Sequence, residues 1–166
     1  MKRLLDKIQQ TLQDNEQLFL DNDVQPVATF DLFYNQPSAP DGFEWDFPAV
    51  FLDYMLDYEN ERAYIYLHCI YEDAEDTDNL ELNRTYGLKY LTFLSLVKHL
   101  LKGVKTPPLF SALQLYQDSP VQSDYFHYHT LSFTCTLLDD LDDLFPKYTD
   151  INLIDLTTTL KLKERL

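Results

Sequence analysis

Glycine and cysteine are both scarce in this chain, which contains three glycines and two cysteines. Three glycines leave no phosphate-cradling loop and no dinucleotide-binding fingerprint, because both motifs need glycines at fixed spacing. Cys69 and Cys135 each lie inside an apolar run, so we expect reduced structural thiols and no disulfide framework. The sequence also lacks a Gly-x-Ser-x-Gly nucleophile elbow. Nothing positive indicates an enzyme, and we expect a protein without a cofactor.

Basic residues and long apolar runs are also in short supply. Against 28 Asp and Glu there are 13 Lys and Arg, which gives a formal net charge of -15. A field of this sign repels phosphate, so sequence-independent binding of DNA or RNA is not expected. No apolar run approaches the roughly 20 residues that a membrane-spanning helix needs, and the N-terminal segment turns polar too soon for a signal peptide. We expect a soluble protein with no membrane partner.

Apolar and aromatic residues are abundant, at 45% and 14% of the 166 residues. Such a chain can bury enough apolar surface to offset the entropy of ordering, despite its charge. Its length allows one sizeable core and falls short of two ordinary domains. We therefore predict a single domain over residues 1–140, with residues 141–166 as a C-terminal extension or arm.

Two segments follow a helical period. The first predicts an amphipathic N-terminal helix of about four turns, with an apolar stripe at Leu4, Leu5, Ile8, Leu12 and Phe19. The second predicts a long central helix, with its stripe at Tyr86, Leu88, Tyr90, Leu91, Leu94, Val97, Leu100 and Leu101. Gly103 follows as the expected helix stop, with two prolines soon after.

Five segments are rich in strand formers. We predict strands over residues 27–34, 47–55, 63–71, 113–118 and 126–138. Residues 63–71 are apolar on both alternating sets, which favours a central strand covered on both faces. The last strand alternates strictly and places Tyr128, Thr130, Ser132, Thr134 and Thr136 on one face, opposite His127, His129, Leu131, Phe133, Cys135 and Leu137. The predicted fold class is α+β, with an antiparallel or mixed sheet of about five strands packed by the two helices.

Two clusters in the sequence contain residue types that bind metal ions. His127 and His129 project to one side of a strand and could share Zn²⁺ with Cys135 or Glu72, but the same spacing is typical of ordinary strand histidines. Carboxylates alternate from Asp73 onward, as in a Ca²⁺ loop. The twelfth position, however, holds Arg84 where a glutamate is needed. We predict solvated acidic loops and no metal.

Aromatic and C-terminal residues suggest contact surfaces. Tyrosine is enriched at protein interfaces, and twelve tyrosines are present. Core packing explains some of them equally well. We predict interface positions at Trp45, Tyr64, Tyr66, Tyr128, Leu160 and Leu162. The last two fall in residues 157–163, a β-prone run that could complete the sheet of a neighbour by strand addition.

Four segments carry a resemblance to a known family. They are residues 31–36, 47–52 and 67–72, and residues 124–130 together with 133–135. The sequence resembles small proteins of Bacteroidetes prophages. The order of its elements is similar to that of the tail-terminator, tail-completion and head-tail joining proteins of long-tailed phages. The resemblance implies a tail-terminator-like fold and a ring subunit, usually of a hexamer, that caps the tail tube or links it to the neck.

A ring of this kind implies a location, partners and a lumen. The location would be the neck or tail of the virion, after assembly in the cytoplasm of the bacterial host, and the partners would be copies of the chain and neighbouring neck or tail proteins. DNA would pass through the lumen unbound, repelled by acidic loops. The lumen residues expected on this basis are Asp73, Glu75, Asp76, Asp78, Asp139 and Asp140. The alternative is a small acidic binding protein that mimics the charge of nucleic acid and inhibits a host enzyme.

Overall fold

The structure is a computed structural model that describes residues 1–38, 45–72, 84–123 and 126–138. Within this part of the chain it contains three α-helices, α1 (Lys2–Gln13), α2 (Glu16–Asp21) and α3 (Arg84–Leu101), and one short 3-10 helix (Gln36–Ser38). Five strands lie between and after them: β1 (Thr29–Leu32), β2 (Ala49–Asp57), β3 (Arg62–Glu72), β4 (Gln114–Val121) and β5 (Phe126–Thr136). Each predicted strand therefore has a counterpart, with ends shifted by a few residues.

The strands form one sheet in the order β1-β2-β3-β5-β4. β1 runs parallel to β2, and the remaining neighbours are antiparallel. The central position of β3 is confirmed, and β4 with β5 forms the predicted strand pair. A mixed five-stranded sheet with helices packed on it is an α+β fold.

One face of the sheet builds the main core against the helices. Alternate residues of β3, among them Ile65 and Leu67, are fully buried there, beside Leu131 and Phe133 of β5. Burying one such side chain contributes about 1.5–3 kcal/mol. A one-residue slip would turn the whole set to the other face, so this burial fixes the register.

The helices contribute most of the predicted stripes, among them Leu4, Ile8, Leu94 and Val97. The prediction is wrong for Leu91, which is 54% exposed, because α3 turns Phe93 toward the core instead. Phe93 contacts Phe19 of α2, with ring centroids 5.8 Å apart, and the side chains of Tyr86 and Leu88 lie outside the described ones.

The N-terminal helix differs from its prediction, because it is broken at Asp14 and Asn15 into α1 and α2. Asn15 leaves the helical conformation, and its side-chain amide donates to the Thr11 carbonyl at 2.8 Å. Asp and Asn bond readily to nearby backbone and so compete with helix propagation. The apolar stripe survives the break, since Leu12 and Phe19 are both buried.

β1 is shorter than predicted because a buried glutamine ends it. The side chain of Gln36 accepts from the Tyr34 N–H and donates to the Leu32 carbonyl, both at 2.6 Å. These bonds replace the ladder and satisfy an amide that is only 3% exposed. Asn35 adopts a positive φ of 65° in the turn that follows β1, a conformation that asparagine tolerates well.

α3 ends as predicted, at a glycine. Gly103 has a φ of 89°, and its N–H donates to the Leu113 carbonyl at 3.0 Å. An added Cβ would meet nothing within 4 Å, so the position requires glycine for its backbone conformation and not for space. The turn brings the end of α3 beside the start of β4.

The prediction that β3 is covered on both faces is wrong for most of its length. Its helix-facing residues are buried, but on the other face only Ile70 is buried, and Tyr64, Tyr66 and His68 remain half-buried. Tyrosine and histidine have apolar bodies and polar tips. Counting apolar residues along a strand therefore does not show whether a face that carries them is covered or accessible to solvent.

The backbone conformation of Glu61, in the turn between β2 and β3, can be tested by substitution. Glu61 has a φ of 51°, a conformation that disfavours residues with a Cβ. Replacing Glu61→Gly should raise the free energy of unfolding by about 0.5–1 kcal/mol, measured by urea denaturation. Glu59→Gly is the matched control, since Glu59 lies in the same turn at a negative φ, and it should lower the same free energy. Equal effects of the two substitutions would contradict the assignment.

Candidate functional site

The second face of the sheet carries rows of side chains that run across four strands. From one end to the other the rows are Ala49, Ile70, Tyr128 and Val121; Phe51, His68, Thr130 and Ser119; Asp53, Tyr66, Ser132 and Gln117; Met55, Tyr64, Thr134 and Gln114. The first row is largely apolar and the later rows are polar and rich in hydroxyl groups. We call this surface the tyrosine face.

A fourth tyrosine joins this face through an irregularity in β4. The register of β4 shifts between Leu115 and Gln117, which leaves Tyr116 as the extra residue. Its ring lies edge-on to Tyr64 at 6.1 Å between centroids, and its side chain is one of the groups that raise the pKa of Tyr66. Three tyrosines thus form one cluster beside the carboxylate of Asp53.

The apolar end of the face is closed by aromatic rings. Trp45 lies edge-on to Phe51 at 5.5 Å and to Phe47 at 6.3 Å, and Phe47 in turn approaches Phe126. Packing within the chain therefore accounts for the position of Trp45, which the sequence suggested as an interface residue. Its Nε1 is buried and has no hydrogen-bond partner among the described residues.

His68 sits between this aromatic end and the tyrosine cluster. Phe33 stacks on its ring at 3.7 Å between centroids, and Nδ1 forms a 2.6 Å hydrogen bond with the Tyr128 hydroxyl. Burial lowers the pKa of His68 to about 4, although the charge of Asp53 acts in the opposite direction. The imidazole is neutral at pH 7.

The pKa values of two tyrosines on this face are shifted upward. Burial, the hydrogen bond with Tyr116 and the nearby Asp53 raise the pKa of Tyr66 to about 12. Burial likewise raises the pKa of Tyr128 to about 12. A general acid or base works best with a pKa near the operating pH, and none of these three shifted groups meets that condition. Neutral hydroxyl, amide and imidazole groups on an aromatic platform suit binding through hydrogen bonds and packing.

A second cluster lies on the helix side of the sheet. Asp118 of β4 accepts from Lys98 of α3 at 2.7 Å and also contacts Nε2 of His129. Partial burial would raise the pKa of Asp118, but hydrogen bonds from Lys98 and His129 lower it. Cys69 stands opposite His129 in the β3–β5 register, so the cluster has the residue types of a Cys-His-Asp triad.

This cluster does not have the chemistry of a triad. Cys69 is fully buried, and burial raises the pKa of its thiol far above neutrality. A reactive cysteine needs the opposite, an accessible thiol with a lowered pKa. His127 on the same side stacks on Tyr90 at 4.8 Å. We interpret these residues as a polar contact that joins α3 to the edge of the sheet.

The zinc alternative with Cys135 is contradicted by the register. His129 pairs with Cys69 and Cys135 with Ala63, six residues further along β5, or roughly 20 Å at about 3.3 Å per residue. Among the described side chains, which do not include that of Glu72, no group of three His, Cys, Asp or Glu residues could hold a metal ion.

Several residues singled out in the sequence lie outside the described residues. These are the acidic positions Asp73, Glu75, Asp76, Asp78, Asp139 and Asp140, and the arm positions Leu160 and Leu162. Tyr64, Tyr66 and Tyr128 all lie on the tyrosine face. Three of the four predicted interface residues that the structure describes therefore share one surface. Sequence reasoning missed Asp53, His68 and Tyr116 as members of this face. Alternation along β3 could have placed His68, but the bulge at Tyr116 has no local signal.

Comparison with models of protein families gives no match, and comparison with curated proteins gives no match either. Among the described residues, no helix is both long enough and apolar enough to cross a membrane.

The lowered pKa of His68 predicts a pH effect with a definite sign. The folded state resists protonation of His68 down to about pH 4, whereas the unfolded chain takes up the proton near pH 6.5. Stability should therefore fall as the pH drops from 6.5 to 4, by about 1–2 kcal/mol after allowance for partial exposure. His68→Asn, which keeps a polar atom near the position of Nδ1, should lose that part of the fall. Urea denaturation of both proteins at pH 7 and pH 4.5 measures the difference, and identical falls would contradict it.

Proposed function

We propose that this protein is a structural subunit of a phage neck or tail, which assembles with copies of itself into a ring and turns over no substrate. The observation that carries the proposal is the accessible edge of the sheet at β4, which adjoins the tyrosine face. The ring is expected to be a hexamer, in keeping with the resemblance noted in the sequence.

β4 is the terminal strand of the described sheet and is unusually accessible. All of its residues except Ser119 are exposed. Three of the exposed side chains are large and apolar: Leu115 at 37%, Tyr116 at 48% and Val121 at 37% exposed. An edge strand with free backbone groups is a template for pairing with another chain, and apolar side chains on it favour that pairing.

The order of elements also supports the proposal. An N-terminal helical segment, strands, a long helix and a final strand pair follow one another in the chain. The same order is what the resemblance to tail-terminator and joining proteins implies, and we extend the proposal to a tail-terminator-like fold on that ground.

The electrostatic part of the proposal concerns DNA. A formal charge of -15 on each subunit would multiply in a ring, and a lumen of that sign would let DNA pass without adhering. Either the acidic run at 73–78 or the one at 139–143 is proposed to face the lumen. The virion neck or tail follows as the proposed location, with other neck or tail proteins as partners.

The same charge favours one other function, a monomeric protein that mimics nucleic acid and inhibits a host enzyme. Self-assembly separates the two, because a charge mimic has no need of it. Native mass spectrometry showing only monomer across the accessible concentration range would favour the inhibitor.

The assembly proposal predicts the effect of a single charge on the β4 edge. Tyr116→Lys should weaken self-association at least tenfold, since burying a central tyrosine at an interface is commonly worth more than about 1.4 kcal/mol. Tyr58→Lys is the matched control, because Tyr58 is 64% exposed in the turn between β2 and β3. It should assemble as the unmodified protein does.

Sedimentation velocity would measure the association of both variants, and negative-stain electron microscopy would show whether rings form. Thermal unfolding of Tyr116→Lys should be cooperative, which would exclude a folding defect. Equal association of the two variants would contradict the role of β4.

A further inference from the structure

A groove of about 600 Å³ lies between the last turns of α3 and the start of β4. The helix side supplies Lys98, His99 and Lys102, and the strand side supplies Leu113 and Leu115. We call these five residues the basic groove. Its floor is apolar and its rim carries two lysines and a histidine, in a chain whose net charge is -15.

The polar side chains on the rim of the groove are only partly paired within the described part of the chain. Lys98 is engaged by Asp118. His99 and Lys102 are exposed and form no ion pair with a described residue. Cations at the C-terminal end of a helix interact favourably with its dipole, which accounts for their position on α3. The helix dipole does not explain why an apolar floor lies beside these residues. A rim of this kind next to an apolar floor fits an occupant that has both carboxylates and apolar side chains.

The chain itself supplies such a segment close to the groove. Residues 139–145 read Asp-Asp-Leu-Asp-Asp-Leu-Phe, with four carboxylates and three large apolar side chains. The segment starts directly after Leu138, whose N–H donates to the Leu109 carbonyl at 2.8 Å. Ser111, next to the groove residue Ala112, donates its N–H to the carbonyl of Thr136 at 3.0 Å. Gln114, which lines the groove, pairs with Thr134, four residues before Leu138, or about 13 Å along the strand. Four or five residues beyond Leu138, at about 3.3–3.6 Å each, can turn back over that length.

The other acidic run, residues 73–78, is badly placed for this groove within one chain. It follows Glu72, which pairs with Phe126, whereas the groove adjoins Gln114, which pairs with Thr134. Eight residues of β5 separate these points, or about 26 Å. The run also contains no large apolar residue.

We propose that residues 139–145 dock into the basic groove of their own chain, with carboxylates on His99 and Lys102 and apolar side chains on Leu113 and Leu115. Attachment to the sheet at Leu138 holds the segment at a high effective concentration, so individually weak contacts suffice. Docking covers Leu115 at the start of β4 and leaves Tyr116 to Val121 for the proposed contact between copies. It fixes the point from which the C-terminal arm departs, and it leaves the run at 73–78 as the one to face a lumen. The proposal is independent of ring formation, since it holds for a monomer as well.

Zero-length carbodiimide cross-linking of the full-length protein tests the contact directly, because it joins an amine to a carboxylate only when the two touch. Protein labelled with ¹⁵N and unlabelled protein would be unfolded, mixed and refolded before cross-linking. Mass spectrometry should find Lys102 joined to aspartates of 139–143 with both halves of the same isotope. Links of mixed isotope would assign the segment to another copy and overturn the proposal. Links from Lys102 to residues 73–78, or none to 139–143, would overturn it as well.

Hydrogen exchange supplies a second measurement that needs no reagent. Lys102→Glu should speed amide exchange in residues 139–145 about two- to fivefold, the range expected for partly exposed charge pairs. Adding Asp140→Lys should restore much of the protection. Lys7→Glu, the same change at an exposed lysine of α1, should leave the segment unaffected. Equal exchange in all these proteins would overturn the proposal.

Discussion

The burial of one alternating set of side chains on β3 and β5 is the constraint on which the rest of the structure depends. Ile65, Leu67, Leu131 and Phe133 are fully buried against the helices, and a shift of one residue on either strand would expose them. Their register therefore decides what the opposite face presents. The tyrosine face follows from the core on the other side of the same strands.

The two faces differ in their chemistry as well as in their burial. On the tyrosine face the pKa of His68 is lowered to about 4 and that of Tyr66 is raised to about 12, so both stay neutral through the physiological range. On the helix face Cys69, which has a triad-like setting, is sealed from solvent, and burial raises the pKa of its thiol. Groups arranged in this way support packing and hydrogen bonding. They are poorly suited to moving protons or attacking a substrate, which is why we favour assembly over catalysis.

Periodicity was sufficient to predict most of the elements. The strict alternation over residues 126–138 and the mixed alternation over 63–71 predict two long strands, and the structure has strands of eleven residues at both places. The helical period of α3 and its glycine stop are equally local signals. The spacing of apolar residues along the sequence indicates which residues face a core, so these elements can be predicted without knowing their partners.

The features that periodicity did not predict depend on single side chains or on distant partners. Asn15 breaks a continuous apolar stripe, and Gln36 ends β1 by bonding to its own neighbours. The extra residue at Tyr116 and the contact of Lys98 with Asp118 join elements that are far apart in sequence. The accessibility of the tyrosine face belongs to the same class, because it depends on where the helices pack and not on the strand that carries the tyrosines.

The central claim is that copies of this chain meet through β4 and the adjoining tyrosine face. Hydrogen exchange followed by mass spectrometry, compared between dilute and concentrated protein, tests it most directly. The account predicts that amides of β4 (Gln114–Val121) gain protection with concentration while those of α1 do not. Protection gained on the helices alone, or no change in protection at any concentration, would contradict it.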